Sequence, residues 1–428
     1  MKGSMDLAAW LGRLEGLHPS EIDMGLARVS QVAARLGIQR PAPLVFTVTG
    51  TNGKGSTCAA LDSLLRCSGR RSGCYTSPHL VHYNERVCID GQPVTDADLC
   101  AAFAAIDQAR GDISLTYFEF GTLAALWLFQ RAGLDAVVLE VGLGGRLDAV
   151  NIVDADVAVV TSIGLDHADY LGDSRDSVGY EKAGILRRGG RLVCSETDLP
   201  PRFSHQVEQL QVSMWQRGRD YRWQSAAADS WTFSGQRGEG SATLELPAVR
   251  LPRDNLATAL QAFWVAGLDM PDAQIAAALA ATAIPGRLDQ RSLEWQGQQR
   301  QLMLDVGHNP QAAEYLAGHL ATGPRKQHVA VFGLLADKNL AGILQPLRGQ
   351  FDNWAVAPLP TPRSRAPEQL VDELQAAGQS ARAFPSIGEA IAWQLDNTSA
   401  ETEIIIFGSF FCVAEAILWL DKQPGGED

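Results

Sequence analysis

Two hydrophobic rhythms alternate along the chain. Residues 44–50, LVFTVTG, form a β-rich apolar run ending in glycine, and residues 56–68, STCAALDSLLRCS, carry apolar positions at helical spacing before Gly69. Further strands are predicted at 136–141 and 157–162, with helical stretches such as 122–131 among them. Strands alternating with helices predict an α/β fold with a mainly parallel sheet. Residues 213–250 break the rhythm: YRW, WTF and TLEL are short alternating segments among Gly, Ser and Gln, which predict a small antiparallel β insertion or edge. A helix over 255–266 follows. The polar, Gly/Pro-marked stretch at 285–300 reads as a linker. Beyond it the rhythm restarts, with strands at 301–306, 329–333, 354–357 and 403–407 and helices at 310–320, 367–377 and 387–395. The predicted organisation is a first domain over 1–288, a linker over 289–300 and a smaller α/β domain over 301–428.

Composition narrows the class. The chain has 428 residues, 46% hydrophobic and 20% charged, enough apolar material for a large core. Its 36 basic and 49 acidic residues give a net charge of -13, which speaks against a nucleic-acid backbone binder. The seven cysteines are odd in number and none are spaced CxxC, so reduced thiols in a cytoplasmic protein are expected rather than a disulfide framework or zinc site. The longest apolar run, 404–420, is interrupted by Gly408, Ser409 and Glu415; it predicts strand, turn and helix rather than a membrane span. Nothing in the sequence demands more than a monomer.

The candidate chemistry begins at Gly50-Thr51-Asn52-Gly53-Lys54-Gly55-Ser56, between a predicted strand and a predicted helix. Glycines there let backbone N–H groups turn toward an anion, and the helix N-terminus adds its positive dipole end. Lys54 is placed to reach terminal phosphates. The loop departs from GxxxxGK[ST], which would need glycine at Val48 and a hydroxyl at Gly55; Ser56 comes one place late. A dinucleotide turn at Gly142-Leu143-Gly144 lacks its third glycine, since position 147 is Leu147, so a nicotinamide cofactor is not expected.

Glu140 ends the apolar strand VVLEVG, at the sheet edge where α/β proteins bind ligands. A carboxylate there is costly to bury unless it is paired or holds a hard cation such as Mg²⁺. Asp166 and His167 follow the next strand and are equal candidates on chemistry alone. Lys182, taken by itself, reads as a solvated helix lysine, and turn chemistry accounts for Ser77 in YTSPHL.

Taken together these segments resemble the folylpolyglutamate synthase family, within the Mur-type amide ligases. The resemblance rests on VTGTNGKGS at 48–56, TSPHL at 76–80, YFEFGTLAAL at 117–126, LEVGLGGRLDA at 139–149, DH at 166–167, EKAGI at 181–185, NLATAL at 255–260, PGR at 285–287, DVGHNP at 305–310 and FGLLADKN at 332–339, in family order across nearly the whole chain. It implies a P-loop Mur-ligase-like central domain with a Rossmann-like C-terminal domain that contributes to the glutamate site. It also implies an enzyme that phosphorylates a carboxylate with ATP and lets the amine of L-glutamate displace the phosphate, with dihydropteroate and tetrahydrofolates as acceptors.

The residue roles it implies are these. Gly53, Lys54, Gly55 and Ser56 hold the ATP phosphates, and Asn255, Arg287 and Asp305 complete the nucleotide site. Ser77, Glu140 and His167 ligate Mg²⁺. Lys182 matches a lysine carried as a carbamate, able to orient a second Mg²⁺, and a monovalent cation is a further family expectation. His308 contacts phosphate or glutamate. Asp23, Met24, Gly25 and Leu26, within EIDMGLARV at 21–29, recognise the pterin together with Phe118, Glu119, Leu147, Asp148 and Ala149. Two departures stand out: Gly307 replaces the usual alanine, and Asn339 replaces a common acidic residue, so no role is carried to Asn339. A cell-wall Mur ligase is the nearest rival. It would carry an extra N-terminal domain, for which a loop starting at residue 50 leaves no room. A nucleotide-dependent switch would not need Lys182 or His308, and a kinase would leave the phosphate on its product.

Overall fold

The computed structural model describes residues 5–20, 22–226, 230–323 and 327–423. Glu21, the first residue of the 21–29 segment, lies outside them. The chain forms two compact units, Met1–Thr282 and Ala283–Asp428.

Among the described residues, the first unit is built on an eight-stranded sheet. Its strands are β1 (Leu44–Thr49), β2 (Ser72–Tyr75), β3 (Val87–Ile89), β4 (Gln92–Pro93), β5 (Ala136–Glu140), β6 (Val157–Val160), β7 (Arg191–Cys194) and β8 (Ser213–Gln216), in spatial order β4-β3-β2-β5-β1-β6-β7-β8. The six strands from β2 to β8 are parallel, and β3 and β4 form an antiparallel edge. Strands β5 and β6 are wholly buried, as expected for a parallel sheet covered on both faces. One apolar cluster packs Trp10, Phe103, Phe120 and Phe129 with Val137 and Leu139. A second joins Leu171, Val178 and Phe203 to Val160 and Leu192.

The register decides what meets at the ligand-binding edge. Val48 of β1 lies opposite Glu140 of β5, and Thr49 lies opposite Val160 of β6. The phosphate loop, the end of β5 and the loop after β6 therefore emerge side by side from three adjacent parallel strands. Their order in sequence is first, fifth and sixth, so only the sheet makes them neighbours.

The predicted insertion at 213–250 divides in two. Residues 213–216 extend the parallel sheet as β8, while β9 (Arg222–Ser225), β10 (Trp231–Arg237) and β11 (Gly240–Leu246) form a separate antiparallel sheet. The helix Arg253–Val265 then returns through the core, with Leu256, Leu260 and Phe263 fully buried.

The second unit carries a six-stranded sheet of β12 (Asp289–Trp295), β13 (Gln298–Asp305), β14 (His328–Phe332), β15 (Trp354–Val356), β16 (Ala381–Ala383) and β17 (Glu403–Phe407), in order β12-β13-β17-β14-β15-β16. All neighbours run parallel except the β12–β13 pair. The segment 289–300, read from sequence as a linker, is instead a hairpin. Its turn, Gln296-Gly297, takes positive φ at both residues, the geometry of a two-residue hairpin turn. The strand looked like a loop because β12 is an edge strand: Leu293 is buried while Gln290, Ser292 and Glu294 are left to solvent or half-exposed. The break between units falls earlier, between Thr282 and Ala283. The run at 404–420 resolves as expected into β17, a turn capped by Ser409 and the helix Phe410–Leu420. Among the described residues no helix is long and apolar enough to cross a membrane.

Candidate active site

The loop after β1 is stitched to the exit of β6. Thr51 N donates to Ser162 O at 2.9 Å, Asn52 N to Ser162 Oγ at 2.9 Å, and Thr161 Oγ1 to Asn52 O at 2.6 Å. Two glycines make this possible. A Cβ on Gly50 would stand 1.8 Å from Thr161 Oγ1. Gly53 has φ +89°, and a Cβ there would stand 2.3 Å from Asn255 Oδ1. The first glycine admits β6, and the second admits the helix carrying Asn255. The helix Lys54–Cys67 starts at Gly53 without a side-chain cap, so its first N–H groups face the loop's own concavity. Lys54 Nζ lies back on the loop, donating to Gly50 O at 3.0 Å and Thr51 O at 3.3 Å. Ser56 is buried in the first helical turn.

Beside this loop, Glu140 is 4% exposed, and its Oε2 accepts a hydrogen bond from Ser77 N at 3.0 Å. Gly55 packs close to the same oxygen, since a Cβ there would lie 3.9 Å from it. Ser77, Glu140 and the phosphate loop are thus one cluster of oxygen donors and phosphate-facing N–H groups. His167 opens the short helix Ala168–Leu171 in a left-handed conformation, φ +51°, with its N–H donating to Asp166 Oδ1. Its side chain is about half exposed, 45%. Among the described residues no three His, Cys, Asp or Glu side chains form a ready-made metal cage. An oxygen pair open toward a phosphate loop suits Mg²⁺, which takes one or two carboxylates and completes its shell with water and substrate phosphates.

Lys182 is not a solvated helix lysine: it is 2% exposed. Burial, and then the positive charge of Lys54, push its ammonium well below the usual lysine range, with Asp166 opposing. Such an amine spends part of its time unprotonated, the form that can act as a nucleophile. Asp148 is also buried, and burial lifts its carboxyl to about 6 against the backbone N–H donors of Leu143 and Val150. Those bonds make it the cap of the 3-10 turn Ala149–Ile152. Leu147 and Ala149 flank it, which gives this trio a scaffolding place beside the loop 142–145.

The 22–26 segment meets the start of the helix Tyr117–Ala132. Arg28 Nη1 contacts Asp23 Oδ2 at 2.6 Å, and Arg28 Nη2 donates to Glu119 Oε1 at 3.2 Å. Met24 and Leu171 both approach Gly144, and Phe118 lies against Gly142. Gly25 and Leu26 lead directly into the helix Ala27–Arg35. Asp23, Met24, Phe118 and Glu119 are therefore drawn around one corner of the first unit. Arg28 is the residue that sequence reasoning passed over; it stood in the EIDMGLARV segment, but charge alone did not separate it from an ordinary surface arginine.

In the second unit Asp305 ends β13 and is buried, with Oδ2 accepting from Leu288 N at 3.0 Å and Oδ1 from Gly307 N at 2.8 Å. Burial raises its carboxyl while Arg287 opposes. The Arg287 guanidinium lies 5.5 Å from the Phe410 ring centroid, and the His308 ring 6.3 Å from it. Arg287, Asp305 and His308 form one cluster at the carboxyl end of β13, while Asn255 stands with the phosphate loop in the first unit. Gly307 has a local reason: a Cβ there would lie 2.7 Å from Asp305 Oδ1. Asn339 is a helix cap, accepting from Gly342 N.

The α/β fold of both units and the anion loop after β1 agree with the Mur-type ligases, the class the family models assign. Residues 48–199 match the family model of the Mur ligase middle domain, and residues 286–410 that of the Mur ligase glutamate ligase domain. The Dihydrofolate synthase/folylpolyglutamate synthase of Escherichia coli K12 is 46% identical over 98% of this chain and 97% of its own. A solved structure of E. coli FolC in complex with DHPP and ADP superposes with TM-score 0.91 at 45% identity, covering 98% of each chain. A bifunctional folylpolyglutamate synthase/dihydrofolate synthase with Mn, AMPPNP and L-glutamate bound gives TM-score 0.89 at 44% identity, again covering 98% of both. The chain belongs to the dihydrofolate synthase/folylpolyglutamate synthase family.

Proposed function

We propose that this chain is an ATP-dependent amide ligase that adds L-glutamate to 7,8-dihydropteroate and to tetrahydrofolates, releasing ADP and phosphate. The observation that carries the reading is the junction of the phosphate loop with the Ser77–Glu140 pair and buried Lys182, which sets a nucleotide site beside a cation site and a perturbed amine. The acceptor's carboxylate oxygen attacks the γ-phosphorus of ATP, the bond to the β-bridging oxygen breaks, and ADP departs. The amine of glutamate then attacks the acyl carbonyl, phosphate leaves and the nitrogen loses a proton.

An unactivated carboxylate is a poor acyl donor; phosphorylation supplies the leaving group. The chain's own part is positioning and charge neutralisation. Loop N–H groups and Lys54 hold the phosphates. Asn255 packs closely against Gly53 of the loop. Ser77, Glu140 and His167 would hold Mg²⁺, which when bound neutralises charge on the phosphates. Lys182, in its unprotonated form, would react with carbon dioxide; the new N–C bond forms with loss of one proton, converting a neutral amine into an anionic carbamate oxygen ligand for a second ion. Arg287, Asp305 and His308, grouped at the carboxyl end of β13, would bind nucleotide and glutamate groups. Seven free thiols fit a reducing cytoplasm.

The test is phosphate release with Mg-ATP and L-glutamate, run with dihydropteroate and separately with tetrahydrofolate, with the products weighed. A gain of one glutamyl residue on both acceptors is expected. Product from one acceptor alone would remove the other activity, and turnover only with a UDP-muramoyl acceptor would move the chain to the cell-wall branch. Lys54→Ala is expected to abolish turnover with the fold retained; glutamate-dependent ATP cleavage at the wild-type rate in that variant would refute the assignment of the loop.

A further inference from the structure

Three carboxylates are assigned to the acceptor, Asp23, Glu119 and Asp148, and they are not equivalent; Asp148 is buried and accepts from Leu143 N and Val150 N. Glu119 has a 5% exposed side chain, and both its oxygens are engaged. Oε2 accepts from Thr116 N at 2.8 Å, closing a capping box at the start of the helix Tyr117–Ala132, and Oε1 accepts from Arg28. Asp23 is 42% exposed and open toward solvent. Asp23, though held through Oδ2 by Arg28, is thus the carboxylate most accessible to ring N–H groups, and Glu119 holds the frame behind it.

Arg28 joins the two. Its Nη1 meets Asp23 Oδ2 at 2.6 Å, while its Nη2 donates to Asp23 O at 2.7 Å and to Glu119 Oε1 at 3.2 Å. One guanidinium therefore fixes the main chain and the side chain of Asp23 and ties both to the helix that carries Phe118. His18 approaches Asp23 Oδ2 as well, its Nε2 at 3.4 Å. A planar fork can hold three acceptors in one geometry; a lysine of equal charge cannot.

We infer that Arg28 is a positioning residue for the acceptor: it sets the spacing between the Asp23 carboxylate and the Phe118 ring, and so fixes acceptor affinity without touching the phosphoryl chemistry. The inference rests on the ligase reading above. Preorganising a loop raises affinity by removing an ordering cost at binding. Removing the fork should therefore act on acceptor KM and leave ATP KM and kcat alone.

The experiment is steady-state kinetics of the full chain with dihydropteroate as acceptor, comparing wild type, Arg28→Ala and Arg28→Lys. Acceptor KM is expected to rise about tenfold in Arg28→Ala, with ATP KM and kcat within about twofold. Arg28→Lys keeps the charge and most of the packing and serves as the deciding variant if Arg28→Ala does not fold. A merely structural cation predicts wild-type KM for it, whereas the fork argument predicts a rise of at least about fivefold. Unchanged acceptor KM in Arg28→Lys, or a fall in kcat at unchanged KM, overturns the inference while leaving the ligase reading standing. A wild-type chain that adds no glutamate to any acceptor overturns that reading, and this inference with it.

Discussion

Replacing Gly53 by alanine puts a single methyl where the phosphate loop meets the helix carrying Asn255. Gly53 has φ +89°, and a left-handed backbone costs a non-glycine residue about 1–2 kcal/mol. The new Cβ would also lie 2.3 Å from Asn255 Oδ1. Asn255 is 8% exposed, so its amide cannot swing into water without disturbing the packing around it. Overpacking of this kind costs about 1–3 kcal/mol. Taken together the change should cost about 3 kcal/mol, a fall in the first unit's melting temperature of about 6–12 °C. ADP affinity should fall at least about tenfold, because the loop N–H groups no longer converge. Calorimetric unfolding and titration with ADP measure the two effects. Adding Asn255→Ala relieves the clash but not the backbone strain, so the double variant should regain about half the lost stability. Gly53→Ala with wild-type melting and wild-type ADP affinity would refute both the left-handed turn and its contact with Asn255.

Three further outcomes follow from two buried titratable groups. Burial lowers the folded pKa of Lys182 below its unfolded one; the unfolded chain therefore binds more protons, and stability rises with pH toward the ordinary lysine range. In carbonate-free buffer Lys182→Met should therefore melt higher than wild type at neutral pH while losing ligase activity, and a lower melting temperature would count against the buried neutral amine. A carbon dioxide adduct on Lys182 in the active wild type, seen by intact-protein mass spectrometry and electron density, is the companion expectation; an active enzyme with unmodified Lys182 refutes it. His79 is held near 4 by burial and then by Arg86, whose Nε donates to His79 Nδ1 at 2.8 Å. Protonation ends that bond. The stability it contributes is present above about pH 6.5 and lost as pH falls toward 4, and His79→Gln should flatten that limb of the melting curve; an unchanged acid limb would show that other groups set it.

The elements that declared themselves in sequence were those whose environment is uniform along their length. Strands β1, β5, β6, β14 and β17 are buried along nearly their whole length and mostly apolar because both faces are covered, and such a run needs no knowledge of neighbours. The β12–β13 hairpin was hidden because one face of an edge strand is wet. Its polar residues mimic a linker, and the Gln296-Gly297 turn was a faint signal against that background. Strand β8 does lie at a sheet edge, as one of the two readings of 213–250 expected, but it pairs parallel with β7; its half-exposed position leaves no apolar run that would show this.

The sequence by itself determined the α/β alternation, the anion loop and the family resemblance carried by ten ordered segments. These depend on local spacing: a glycine-rich turn between strand and helix has the same chemistry wherever the rest of the chain goes. Tertiary structure alone decided the rest. Glu140, Ser77 and Gly55 meet because β5 lies beside β1 and β2, 63 residues separating Ser77 from its carboxylate partner. Lys182 is a perturbed amine because it is buried near Lys54, where its segment read alone suggested a solvated helix face. Glu119 is buried and Asp23 half-exposed, and Arg28 from a different helix reaches both. Burial and charge pairing are properties of neighbours in space, and no local pattern encodes them.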